Sequence, residues 1–168
     1  DFSLGSKVKK FENKLKKFTQ SDYVATCGNG TDAIEIALKI LNVKDKDEVI
    51  TTSNTWLSVG NAILNVGARP KFVDIDNSLN IDSNKIENVI SKKTKYIIVT
   101  HLNGLPCDIN KICKIAKKYK IKVIEDCSQA IGSLYNEIHV GNFGDIATYS
   151  LHPTKNLGVF GDGGFIAT

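Results

Sequence analysis

Methionine is absent from this 168-residue chain, tryptophan occurs once and proline three times. The missing initiator, together with a C-terminal run Gly164-Phe165-Ile166-Ala167-Thr168 that reads as a strand with nothing after it, gives the expectation of a fragment of a longer chain. No apolar run reaches the roughly 20 residues that a membrane-spanning helix needs, so no membrane segment is expected. Asp1-Phe2-Ser3-Leu4-Gly5 lacks the charged-then-apolar layout of a signal peptide, and a cytoplasmic location is expected. Four cysteines are present, Cys27, Cys107, Cys113 and Cys127, with no C-x-x-C pair and no metal-ligand spacing. That pattern excludes a zinc module, implies no metal, and fits buried thiols in a reducing compartment. Cys127, in an apolar-flanked stretch beside Asp126, reads as a small core residue rather than a nucleophile. The net charge of +4 comes from lysines such as Lys9, Lys10, Lys14, Lys16, Lys17 and those from Lys111 to Lys122. They fall on predicted amphipathic helices, where lysines form solvated faces. Aromatic interleaving and any known nucleic-acid module are lacking, so neither nucleic acid nor membrane is an expected partner. The positive balance also suits an anionic small substrate.

What is present is an alternation of short β-rich and helical runs, without repeats or a low-complexity linker. Helices are predicted over 7–18, 32–41, 56–66, 82–90 and 108–119, the last N-capped by Asp108. Strands are predicted over 23–26, 48–52, 70–74, 96–100, 122–125, 146–150 and 165–168. Seven strands mostly separated by helices imply an α/β fold: a mainly parallel seven-stranded sheet with helices on both faces, in one domain over 1–168. Ligands of such sheets bind at the carboxyl ends of the strands. Thr26, Thr52, Asp126 and Ser150 all lie at or near such ends, which makes one shared site plausible.

The chemistry-bearing residues gather at those ends. Gly28-Asn29-Gly30-Thr31-Asp32 joins a strand to a helix, and a helix N-terminus with glycine-permitted close approach can hold a phosphate, with the Thr31 hydroxyl as a further donor. A plain turn capped by Thr31 or Asp32 explains the same residues, and the run is neither a Walker loop nor a dinucleotide fingerprint. Trp56, directly after a strand, can stack on a heteroaromatic ring or cap the core. Asp126 ends the run Val123-Ile124-Glu125-Asp126, and Gln129 follows three positions on. A carboxylate at a buried strand end needs a cationic partner, which a pyridinium N–H would provide, unless Asp126 merely caps the next turn. Ser150 can donate to a phosphate or cap its own turn. Lys155 stands in Ser150-Leu151-His152-Pro153-Thr154-Lys155, before a glycine-rich turn, either as an exposed loop lysine or as an amine that holds an aldehyde. A loop lysine and a strand-end aspartate are the two groups a pyridoxal 5′-phosphate (PLP) enzyme requires. His101, His139 and His152 receive no firm role.

In order along the chain, Gly30-Thr31, Asp47-Glu48-Val49-Ile50, Thr55-Trp56 and Gly67-Ala68-Arg69-Pro70-Lys71-Phe72-Val73-Asp74-Ile75-Asp76 resemble the sugar aminotransferases of the DegT/DnrJ/EryC1/StrS family. Gly104-Leu105-Pro106, Ile124-Glu125-Asp126-Cys127-Ser128-Gln129-Ala130 and 150–164 continue the resemblance, which covers nearly the whole chain. It implies the fold-type I architecture of aspartate aminotransferase and a PLP-binding large domain, with the family's smaller C-terminal domain missing here. It also implies that Lys155 binds the cofactor covalently, Asp126 pairs with the pyridine nitrogen, Gln129 lies near the ring oxygen and Trp56 stacks on the ring. Thr31, the Asp32 backbone and Ser150 would hold the phosphate, beside Gly30. The activity implied is amino transfer from an amino acid, expected to be glutamate, to a nucleotide-linked keto sugar, for amino-sugar and polysaccharide biosynthesis. A homodimer with shared active sites is the implied assembly. Some relatives carry histidine at the lysine position and act as dehydratases, and the lysine here favours transamination. A cofactor-free Schiff-base lyase and a catalytically silent regulatory relative are the alternatives.

Overall fold

A computed structural model describes residues 5–168, so the reading of the first four residues lies outside the described part. The chain runs α1 (Ser6–Thr19), β1 (Val24–Cys27), α2 (Gly30–Ile40), β2 (Glu48–Thr52), α3 (Leu57–Asn65), β3 (Arg69–Val73), α4 (Ile86–Val89), β4 (Thr94–Thr100) and α5 (Ile109–Tyr119). It continues with β5 (Lys122–Asp126), a small hairpin β6 (Leu134–Tyr135) and β7 (Ile138–His139), then β8 (Ile146–Ser150) and β9 (Gly164–Ala167). Seven strands form one sheet in the order β1-β9-β8-β5-β4-β2-β3. The pairs β3/β2, β2/β4, β4/β5 and β5/β8 are parallel, while β9 runs antiparallel to both β8 and β1. A mainly parallel seven-stranded sheet is therefore what the alternating pattern anticipated.

Both faces are covered, which is why the inner strands are nearly continuous apolar runs. Strand alternation sends Val49, Ile98, Ile124, Ile146 and Ile166 to one face, where Ala33, Ile34, Ala37 and Leu38 of α2 and Val59, Ala62 and Ile63 of α3 bury against them. Ile50, Ile97, Val99 and Val123 point the other way, onto Ile109, Ile112, Ile115 and Ala116 of α5. The same helix carries its lysines on the remaining positions, as a 3.6-residue period requires. Leu15 of α1 covers the β8–β9 end of that face, where Tyr149 and Phe165, directly opposite across the strands, stack at 4.2 Å between centroids.

Two local expectations are corrected, and one element is added. The helix anticipated over 82–90 is reduced to the single turn Ile86–Val89. Asp82 accepts the Asn84 N–H at 2.9 Å, and such side-chain bonds to nearby backbone compete with a helical start. Asp108 occupies the N-cap position of α5 without capping it. Its carboxylate instead accepts from the Ser83 hydroxyl (3.3 Å) and the Tyr135 phenol (3.2 Å). The β6–β7 hairpin escaped the sequence pattern because each strand is two residues long.

Candidate active site

The alternation that builds the core also selects the site. Thr100, Asp126 and Ser150 lie two or four residues beyond Ile98, Ile124 and Ile146 on the same strands, so they share the α2/α3 face at the carboxyl ends of β4, β5 and β8. α2 begins at Gly30 beside that edge. A Cβ at Gly30 would lie 2.7 Å from Ser150 Cβ, and one at Gly164 would collide with the Asn29 carbonyl. Glycine at these two positions lets the first turn of α2 press onto the ends of β8 and β9.

Asn29, not Thr31 or Asp32, caps α2: its side chain accepts the Asp32 N–H at 2.8 Å, and its carbonyl accepts Ala33 N at 3.1 Å. The Asp32 backbone, expected as a phosphate donor, is thereby committed to the cap. Among the described residues the uncommitted donors of this turn are the Gly30 and Thr31 N–H groups, which point out of the helix start as orphan donors do. The Thr31 hydroxyl donates to Ser58 Oγ at 2.9 Å. Ser58, in the first turn of α3, was not singled out in the sequence, since nothing local reveals that α3 starts beside α2. Ser150 Oγ accepts the His152 N–H at 3.3 Å, which leaves the serine hydrogen free to donate.

Trp56 precedes α3 and is two-thirds exposed. The Lys155 ammonium lies 5.8 Å from its ring centroid, a cation–π contact, and makes no ion pair with any described carboxylate. Asp126 is 3% exposed. One carboxylate oxygen accepts the Ser128 N–H (3.0 Å); the other accepts the Thr100 hydroxyl (3.3 Å). No cation reaches it among the described residues. Gln129 accepts the Asn103 N–H at 3.0 Å through Oε1, which orients its NH2 group as a free donor.

The neighbouring Glu125 is the opposite case. On the α5 face of the sheet, fully buried, it accepts from His101 Nε2 (3.0 Å), Gly141 N (2.9 Å), Phe143 N (2.8 Å) and Gly144 N (2.6 Å). Burial pushes its pKa up, but the hydrogen bonds from His101 and the backbone donors outweigh it, and the net direction is down. His101 Nδ1 accepts the Cys107 N–H at 3.2 Å, so the ring proton sits on Nε2. The sequence reading left His101 without a role and passed over Glu125, although an acid in an apolar strand was itself a signal that a partner must exist. His101, Glu125 and Cys127 bring ligand-type atoms within 4.8 Å of one another, but burial pushes the Cys127 thiol well above its usual range. Burial likewise raises Cys113, to about 11.

Taken together, one edge of the sheet holds an orphan N–H turn with hydroxyls, an exposed indole beside a lysine amine, and a buried carboxylate with acceptor capacity left over. Such a constellation can seat a flat, phosphorylated, cationic heteroaromatic ring.

The DegT/DnrJ/EryC1/StrS aminotransferase family matches residues 1–168. A "Pleiotropic regulatory protein" of Geobacillus stearothermophilus is 48% identical over 99% of this chain and 45% of its own length. The dTDP-3-amino-3,6-dideoxy-alpha-D-galactopyranose transaminase of Aneurinibacillus thermoaerophilus is 45% identical over 99% of this chain and 46% of its own. The crystal structure of ntda from Bacillus subtilis with bound cofactor PMP superposes with a TM-score of 0.93 at 41% identity, covering 98% of this chain and 37% of that one. The chain thus spans less than half the length of the curated relatives it matches.

Proposed function

Because this chain belongs to the DegT/DnrJ/EryC1/StrS aminotransferase family, we propose that the whole protein is a PLP-dependent aminotransferase. Its reaction converts a nucleotide-linked keto sugar to the amino sugar, with glutamate as amino donor. Residues 1–168 form its cofactor-binding large domain, and two copies share their active sites. The substrate class is supported by the transaminase relative, whose name specifies a dTDP-linked amino sugar.

The observation that carries the reading is Asp126. A carboxylate that is 3% exposed, with one backbone donor and one long hydroxyl contact, has acceptor capacity left over that a cationic N–H donor would fill. A pyridinium N–H completes its set. When bound, the cofactor supplies a carbonyl carbon for amine exchange and a ring that withdraws electrons from the reacting carbon. Asp126 holds the proton on the ring nitrogen and so keeps that ring cationic. Gln129 offers its NH2 to the ring oxygen, in the orientation that Asn103 enforces. Trp56 supplies a flat wall, and the N–H groups of Gly30 and Thr31, with the Ser150 hydroxyl, bind the phosphate at the positive end of α2. Lys155 would hold the cofactor through Nζ, and the same amine would be the base that carries a proton to and from the substrate carbon. The flexible lysine stem suits this shuttling.

A second reading, a regulatory relative that does not turn over, is favoured by the name of the 48% identical protein. A silent relative that binds PLP would keep Lys155 and Asp126 as well, so turnover rather than binding separates the two readings. Full-length protein is expected to show a visible absorbance band with PLP and to lose it on addition of glutamate. Returning the band with a panel of nucleotide-linked keto sugars would identify the acceptor. A band that glutamate leaves untouched would favour the regulator, and no band at all would sink the cofactor assignment.

A further inference from the structure

We infer that Thr100 is a positioning residue for Asp126, and that Thr55 sets the direction of its hydrogen bond. The proposal deepens the PLP reading and rests on it. Thr100 and Asp126 are each 3% exposed and occupy the ends of paired parallel strands, directly opposite in register. The Thr100 hydroxyl lies 3.3 Å from Asp126 Oδ2 and 2.7 Å from the Thr55 hydroxyl. A hydroxyl has one hydrogen to donate, and the Thr100 hydroxyl donates to the Asp126 carboxylate. The Thr100 hydrogen is therefore directed to Asp126, and Thr55 must donate to Thr100 Oγ1. The two-hydroxyl chain runs one way and ends on the carboxylate.

Two consequences follow. The chain sets the rotation of the Asp126 carboxylate, whose other oxygen is held among the described residues by Ser128 N. It also fixes Thr55, and the next residue is Trp56, at the start of α3. One pair of hydroxyls thus sets the in-plane partner and the stacking wall of the same ring relative to each other.

The test uses full-length protein and two readouts: the PLP dissociation constant of the apoprotein, and kcat and KM for glutamate. Thr100→Val, close in shape but without the hydroxyl, should weaken PLP binding and lower kcat about tenfold, the factor carried by a hydrogen bond to a charged group. KM for glutamate should stay within about twofold, since the lost contact orients the cofactor partner and not the donor. Thr100→Ser should restore both values to within about threefold, and Thr55→Val should give a smaller loss in the same direction. In an Asp126→Asn background, Thr100→Val should add less than about twofold, because the acceptor whose charge it orients is gone. Wild-type PLP affinity in Thr100→Val would overturn the proposal while leaving the function intact. So would an equal loss in the Asp126→Asn background, or a serine variant as impaired as valine. Wild-type protein that binds no PLP would overturn both.

Discussion

His101 Nε2 lies 3.0 Å from Glu125 Oε2, with both side chains wholly buried on the face of β5 opposite Asp126. Together with three backbone donors between Gly141 and Gly144, this pair ties the central strand to the loop that precedes β8. Glu125→Ala leaves four donors unpaired, two of them on buried residues, and should destabilise the full-length protein by about 3–5 kcal/mol in urea unfolding. Where the variant remains folded, its PLP affinity should match wild type, because the pair faces away from the site. Loss of PLP at unchanged stability would instead place Glu125 in the site.

Gly30 marks the contact between the phosphate turn and β8. Gly30→Ala puts a methyl 2.7 Å from Ser150 Cβ, and neither atom is the end of a flexible chain. The expected cost is about 1–3 kcal/mol of overpacking, with weaker binding of both PLP and inorganic phosphate. Gly60→Ala, where an added Cβ meets nothing within 4 Å, is the matched control and should bind both as wild type does. Equal behaviour of the two variants would show that the α2–β8 approach does not matter.

Glu48, at the start of β2, has its pKa held down to about 2, first by the Ser91 hydroxyl, against opposing burial, and further by Lys71 and Thr94. A carboxylate whose folded pKa lies below its unfolded value stabilises the fold fully above the unfolded pKa and loses that contribution as pH falls. The window is therefore from about pH 4.5 down to about 2. Melting temperature measured across it should fall less steeply in Glu48→Gln than in wild type. Parallel slopes would show that Glu48 contributes no pH dependence.

How far the sequence revealed the fold and the site depended on the range of the contacts involved. Strands 48–52 and 146–150 were legible to the residue, because apolar runs between turn signals depend on nothing distant. The amphipathic period of α5 was equally plain. The 82–90 helix was misjudged because Asp82 and Asn84 satisfy each other locally. Asp126 and Ser150 could be nominated from strand-end positions, and Thr31 from the glycine turn at a helix start. Thr100, Thr55 and Ser58 could not, because each acquires its role only through strand pairing or helix packing across 26, 45 or 27 residues of chain. The cap offers a subtler case: Asn29 and Asp32 both suit a helix start, and only the backbone geometry shows which side chain accepts and which N–H is taken.

The claim that Lys155 and Asp126 serve one cofactor is tested most directly by single-turnover loss of the visible band after adding glutamate to full-length wild type and to Asp126→Asn, with Lys155→Ala as the unattached reference. Wild type should convert completely, and Asp126→Asn should slow by at least about a hundredfold, as expected when a preorganised charge is removed from the reacting ring. Lys155→Ala should lack the attached-cofactor band from the outset. An Asp126→Asn enzyme that reacts at the wild-type rate would contradict the account.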